Sequence, residues 1–123
     1  MIDRRRILII DRNRRTVDEL QEKFVSSGCE AEIALSAPVG LSIVAARKMD
    51  VAVMNAELGH EEDWELVKTL KESNPELPLV LFDAPKEKGL SREARRAGVE
   101  RLLVSPMDAD IVLAETLKVA VKA

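Results

Sequence analysis

The sequence predicts an α/β fold: one open, doubly wound, five-stranded parallel sheet with helices on both faces. Three observations lead there. Short aliphatic runs alternate with longer amphipathic segments along all 123 residues. No internal repeat or low-complexity linker breaks that alternation, so residues 1–123 read as one domain. Two of the runs, Val51 to Met54 and Pro78 to Phe82, are apolar on successive residues, which marks parallel strands buried on both faces.

The elements follow in order. The first strand is Arg6 to Asp11, and a helix follows from about Arg14 to Ser27, with Val17, Leu20, Phe24 and Val25 at helical spacing and Gly28 as its stop. Glu30 to Ala34 is the second strand. Ser36 caps a small-residue helix that runs to about Lys48, with Pro38 early in it, where a missing N–H costs little. After the Val51 to Met54 strand, Glu61 to Ser73 forms a helix whose acidic first turn suits its dipole and whose Trp64, Val67 and Leu70 share one side. The strand Pro78 to Phe82 leads to a helix from about Lys88 to Ala97, ended by Gly98. Arg101 to Val104 is the fifth strand, and Asp108 caps the last helix.

Composition narrows the function. With 46% hydrophobic and 33% charged residues, the chain is too apolar for disorder and too charged for a membrane protein. The opening MIDRRR leads straight into a short apolar run and not into a signal-peptide core, which points to the cytoplasm. Nineteen Lys and Arg against 22 Asp and Glu give a net charge of −3, with no global drive towards nucleic acid. The first strand holds the two early Arg groups, Arg4 to Arg6 and Arg12 to Arg15, at opposite ends of the sheet, where they read as solvated surface. A single Cys29 and a single His60 exclude Cys-rich zinc sites and an internal disulfide. Cys29 reads as a small buried hydrophobe, His60 as a solvated loop residue, and Trp64 as partly buried packing.

In a parallel sheet of this kind ligands meet the carboxyl ends of the strands. There the sequence places Asp11, Arg12, Asn55, Asp83 and Ser105. The run ILIIDRN, the phrase VAVMNAEL, the spacings 83 − 55 = 28 and 105 − 55 = 50, and the ending GVERLLVSP resemble the receiver domain of two-component response regulators. The resemblance covers essentially the whole chain and implies a CheY-like, flavodoxin-like sheet of order 2-1-3-4-5.

It also implies a chemistry: an acidic pair, an Asp acceptor, a Thr or Ser, a Lys, and a magnesium ion that together neutralise charge while a carboxylate attacks a phosphoryl group. Mapped residue by residue, this sequence keeps Asp11. The second acid is Arg12, the acceptor is Asn55, the hydroxyl residue is Asp83 and the Lys is Ser105. Leu102 stands at the aromatic switch position, and Gly59 stands where a Pro usually follows the acceptor. An amide forms no stable acyl phosphate, a cation replaces an oxygen ligand, and an anion faces the incoming phosphoryl group. The expectation is a degenerate pseudo-receiver without enzymatic activity, cofactor or metal. An internal pair of Arg12 with Asp83 or Glu57, bridged by the Asn55 amide, would hold the pocket together; the alternative has Arg12 in solvent.

Other readings remain open at this point. One is an atypical receiver switched by a ligand, a metal or protonation at Asp11 and Asp83, with Glu57 as a further oxygen donor. A flavodoxin-type binder would need a phosphate-cradling loop, and the loop DRNRRT has no Gly. The expected partner is a protein or a second copy, with neither nucleic acid nor membrane involved. The resemblance places that contact on the fourth helix, fifth strand and fifth helix. In the last helix Leu113, Leu117 and Val121 recur as a packing stripe, which leaves Ile111, Val112 and Val119 for a second face, with Arg92 and Arg96 set to meet Glu115 of another copy.

Overall fold

The computed structural model describes residues 4–56 and 61–120. Five strands and five helices alternate: β1 (Arg6–Ile10), α1 (Arg14–Ser26), β2 (Glu30–Ala34), α2 (Ala37–Ala46), β3 (Val51–Asn55), α3 (Glu61–Ser73), β4 (Leu79–Ala84), α4 (Leu90–Arg96), β5 (Arg101–Val104) and α5 (Ala109–Val119). The sheet order is β2-β1-β3-β4-β5 and every pairing is parallel. In the centre Ile9 lies between Ile33 and Val53.

Period-two alternation splits the core across the sheet. Leu8, Ile10, Ala52, Met54, Leu79 and Leu81 point to the side covered by α2, α3 and α4, where Leu66, Val67, Leu70 and Leu90 meet them. Ile7, Ile9, Val51, Val53, Val80 and Phe82 point to α1 and α5, where Val17, Leu20, Phe24 and Val112 close over them. Truncating one of the fully buried Leu side chains, such as Leu8 or Leu70, costs about 2–5 kcal/mol.

Helix starts are written into short polar side chains. Asn13 caps α1 by accepting from the N–H groups of Arg15 and Thr16, Ser36 caps α2 and Asp108 caps α5. At the base of the sheet the Lys71 ammonium donates to the Leu77 carbonyl and to Glu100, whose carboxylate also accepts the Leu79 N–H. Lys71 passes beneath Gly98, where a Cβ would stand 3.2 Å from its Cε.

Several boundaries and faces differ from the sequence expectation. β4 runs on to Ala84, and Asp83 sits inside it at φ 58, where the pairing with β5 shifts register. α2 stops at Ala46, and α4 is a seven-residue helix that begins after a left-handed Gly89. Val25 lies off the buried stripe of α1 at 54% exposure. The phase of α5 is also different: its buried stripe is Ala109, Val112, Thr116 and Ala120. Val112 therefore belongs to the core at 1% exposure, and Val119 packs half-buried on the same cluster, because small residues let α5 sit close and push Leu113 and Leu117 to the flanks. Of the three residues assigned to a second face, Ile111 is the exposed one, at 54%. Cys29 is buried and Trp64 packs half-buried, as read from the sequence. Glu57, Gly59, His60 and Val121 lie outside the described residues.

Candidate functional site

Asp11 follows β1 directly and is 9% exposed. One carboxylate oxygen, Oδ1, accepts the Asn13 N–H at 3.0 Å, the local turn that an Asp offers two residues on. The other, Oδ2, accepts from Nδ2 of Asn55 at 3.1 Å. An ionised carboxylate only accepts, so the amide must present its NH2 to it. Asn55 is held for this contact at the end of β3, where its neighbour Ala56 donates its N–H to the Phe82 carbonyl at 2.7 Å.

Around this pair lies a cavity of about 90 Å³ whose polar lining comes from Asp11, Arg12, Asn55, Asp63 and the α2 cap Ser36, with Leu35 and Leu66 as apolar walls. Asp83 does not line it. The positive φ at Asp83 belongs to the irregular end of β4, and this residue lines a separate cavity of about 150 Å³ with Phe82, Leu102, Pro106 and Ile111. Ser105 lines neither; its N–H donates to the Ala84 carbonyl at 2.8 Å, and a cis peptide joins it to Pro106. The pocket thus gathers Asp11, Arg12 and Asn55, while Asp83, one of the two partners expected for Arg12, lines a different cavity, and the other, Glu57, lies outside the described residues. The contact that the Asn55 amide makes in this pocket is with Asp11.

Sequence reasoning missed Asn13 and Asp63, and it read Ser36 as a helix cap without placing it on the pocket. The signal for Asn13 was present, since Asp-x-Asn before a helix offers one side chain for the turn and the next for the cap. Among the described residues no group of three or more His, Cys, Asp or Glu side chains is placed to hold a metal ion.

On the opposite flank of the sheet Leu102 is half-buried against the first core cluster. Glu115 is engaged within its own chain, 2.6 Å from Lys118 and 3.5 Å from Arg101. The Lys118 hydrogen bond holds its carboxyl below the usual carboxylate range. Arg92 and Arg96 are exposed on α4, away from that network. Burial raises the Cys29 thiol above its ordinary value, against a smaller opposing influence of Arg5.

A family model for the response regulator receiver domain matches residues 7–117, from β1 into α5. The transcriptional regulatory protein PcoR of Escherichia coli is 24% identical over 103 residues, which cover 84% of this chain and 46% of PcoR. The chain therefore spans about half the length of that relative. A response regulator from Thermotoga maritima superposes with a TM-score of 0.86 at 19% identity, covering 96% of this chain and 98% of its own. A CheY-like receiver from Methanospirillum hungatei superposes at 0.85 with 21% identity, covering 96% and 94%. No helix among the described residues is long and apolar enough to cross a membrane. With the five-stranded order matched end to end and the family model running over nearly the whole fold, the chain belongs to the response regulator receiver domain family of two-component signalling.

Proposed function

We propose that this receiver works without phosphoryl transfer, as a pseudo-receiver that signals by binding protein. The carrying observation is the Asn55 amide donating to Asp11 at 3.1 Å, at the strand end where the family chemistry requires a nucleophilic carboxylate. Both Asp11 oxygens already accept N–H groups, and Arg12 lines the same cavity. Such a donor set does not fit a magnesium ion, which takes oxygen ligands in near-ideal octahedral geometry. A neutral amide holds the carboxylate, and a cation lines the cavity, where a metal and a second acid would otherwise meet it.

The contact face is assigned to α4, β5 and α5. Val104 at 45% exposure and Ile111 at 54% rim the same small cavity beside Pro106, an exposed apolar group at a sheet edge that suits a protein partner or a second copy. Two measurements test the reading. Magnesium with a small phosphodonor, or with beryllium fluoride, leaves the mass and the Trp64 fluorescence unchanged; a mass gain of one phosphoryl group or a saturable quench refutes it. Lys at Val104 and Ile111 weakens self-association or partner capture while the fold is kept, and an unchanged pair of results moves the contact elsewhere.

A further inference from the structure

Helix α4 is seven residues long, and what it turns inward is small: the buried Ala94 and the half-buried Ala97 at its C-cap. A groove of about 520 Å³ is left between α4 and α3, with Ala97 and the half-buried Trp64 as its apolar lining. Four exposed charges frame that strip, Lys68 and Glu72 on α3 and Glu93 and Arg96 on α4. Among the described residues none of these four side chains enters an ion pair or a side-chain hydrogen bond. Lys71 also reaches the groove, but Glu100 neutralises it at 3.0 Å and the Leu77 carbonyl accepts from it. The unpaired charges of the lining therefore cancel, two cations against two carboxylates.

That balance selects the occupant. An acidic partner would meet Glu72 and Glu93, and a basic one would meet Lys68 and Arg96, so a surface of either single sign is repelled by half of the frame. A second copy supplies the opposite sign at each place. Helices α3 and α4 lie on one face of the sheet and each returns the chain between parallel strands, so they run in the same direction. From N- to C-terminus α3 presents plus then minus, and α4 presents minus then plus. A two-fold axis along the groove lays α3 of each copy on α4 of the other, with Lys68 towards Glu93 of the second copy and Glu72 towards its Arg96, and the symmetry repeats both pairs. We propose that the α3–α4 groove is the isologous interface of a homodimer, centred on the two Trp64 rings and framed by these four reciprocal pairs. Burial of the two aromatic rings supplies the affinity, and the rim charges set the register. This surface is separate from the Asp11 pocket and from the Val104 and Ile111 shelf, and it does not depend on whether the protein accepts a phosphoryl group.

Sedimentation velocity of the full chain over a concentration series reads the assembly, and circular dichroism with a urea midpoint reports that each variant folds. The parent forms a dimer that weakens as salt rises, and its Trp64 emission moves to the blue as the dimer forms. Lys68→Glu alone and Glu93→Lys alone each weaken the dimer about tenfold, because the two-fold repeats every substitution. Lys68→Glu combined with Glu93→Lys returns the affinity to within about threefold of the parent, since exchanging the two signs keeps each pair attractive. Val104→Lys with Ile111→Lys leaves this dimer unchanged, so the outcome is read independently of the contact face tested above. A chain that stays monomeric up to about 1 mM, single variants that dimerise like the parent, or a double variant that is not restored overturns the proposal. A dimer that the Val104 and Ile111 substitutions abolish and the charge variants keep overturns it in favour of the α4–β5–α5 face.

Discussion

Replacing Asn55 with Asp supplies the carboxylate that the receiver family uses and, by the geometry described, damages this protein instead. The amide donates to Asp11 Oδ2 at 3.1 Å. The substitution removes a hydrogen bond to a charged group, a loss of about 1.5–3 kcal/mol. It also sets two acceptor-only groups against each other. At that distance two full charges repel by about 1 kcal/mol in a water-like dielectric and about 5 at an effective dielectric of 20. Rotation of the new carboxylate away from Asp11 relieves part of the repulsion, so a net loss of about 3 kcal/mol is expected at pH 8. Urea unfolding followed by Trp64 fluorescence measures it, and parallel runs at lower pH show the cost shrinking as the pair takes up a proton. The sign follows from linkage: a carboxyl that is harder to ionise when folded costs stability above its folded pKa and none below the unfolded one. Arg12, Asp83 and Ser105 remain in place, so Asn55→Asp is not labelled by a small phosphodonor with magnesium. A variant as stable as the parent at pH 8, a recovery of stability on adding magnesium, or efficient labelling would each refute this reasoning.

Three further outcomes are expected. Thr116 is fully buried on α5, and its hydroxyl finds no hydrogen-bond partner among the described residues, so Thr116→Val gains about 1 kcal/mol in urea unfolding; a loss would contradict the isolation of that hydroxyl. Glu115 is held ionised first by Lys118, so it contributes stability above the ordinary carboxylate range that is lost as pH falls through its lowered value; the stability gap between parent and Glu115→Gln should close in acid, and a gap that persists at pH 2 would refute the pairing. Gly98 adopts φ +89, and an added Cβ would stand 3.2 Å from Lys71, so Gly98→Ala costs about 1–2 kcal/mol by thermal unfolding, whereas an unchanged midpoint would show that the turn relaxes freely.

Much of the fold was legible because strong local signals agreed. The unbroken apolar run of β3 meant burial on both faces, and Ser36 and Asp108 stood where helices needed caps. The phase of α5 was not legible. Its Ile, Val, Leu and Ala residues occur on every side, so the largest aliphatics looked like the inner stripe. Contact with the sheet and α1 selected the smaller Ala109, Val112, Thr116 and Ala120 instead. The pocket was half legible for a similar reason. Strand-end spacing placed Asp11 and Asn55 together, but no pattern announces the positive φ of Asp83 or the register shift that carries it to another cavity.

Asn13 belongs to two systems at once. Its backbone N–H supports the Asp11 carboxylate while its side-chain oxygen receives the amides of Arg15 and Thr16. The orientation of Asp11 is therefore transmitted to the opening turn of α1 through one residue with little freedom to yield. Hydrogen exchange at the Arg15 and Thr16 amides becomes a gauge of what happens in the pocket: whatever turns or neutralises Asp11 is expected to loosen that turn.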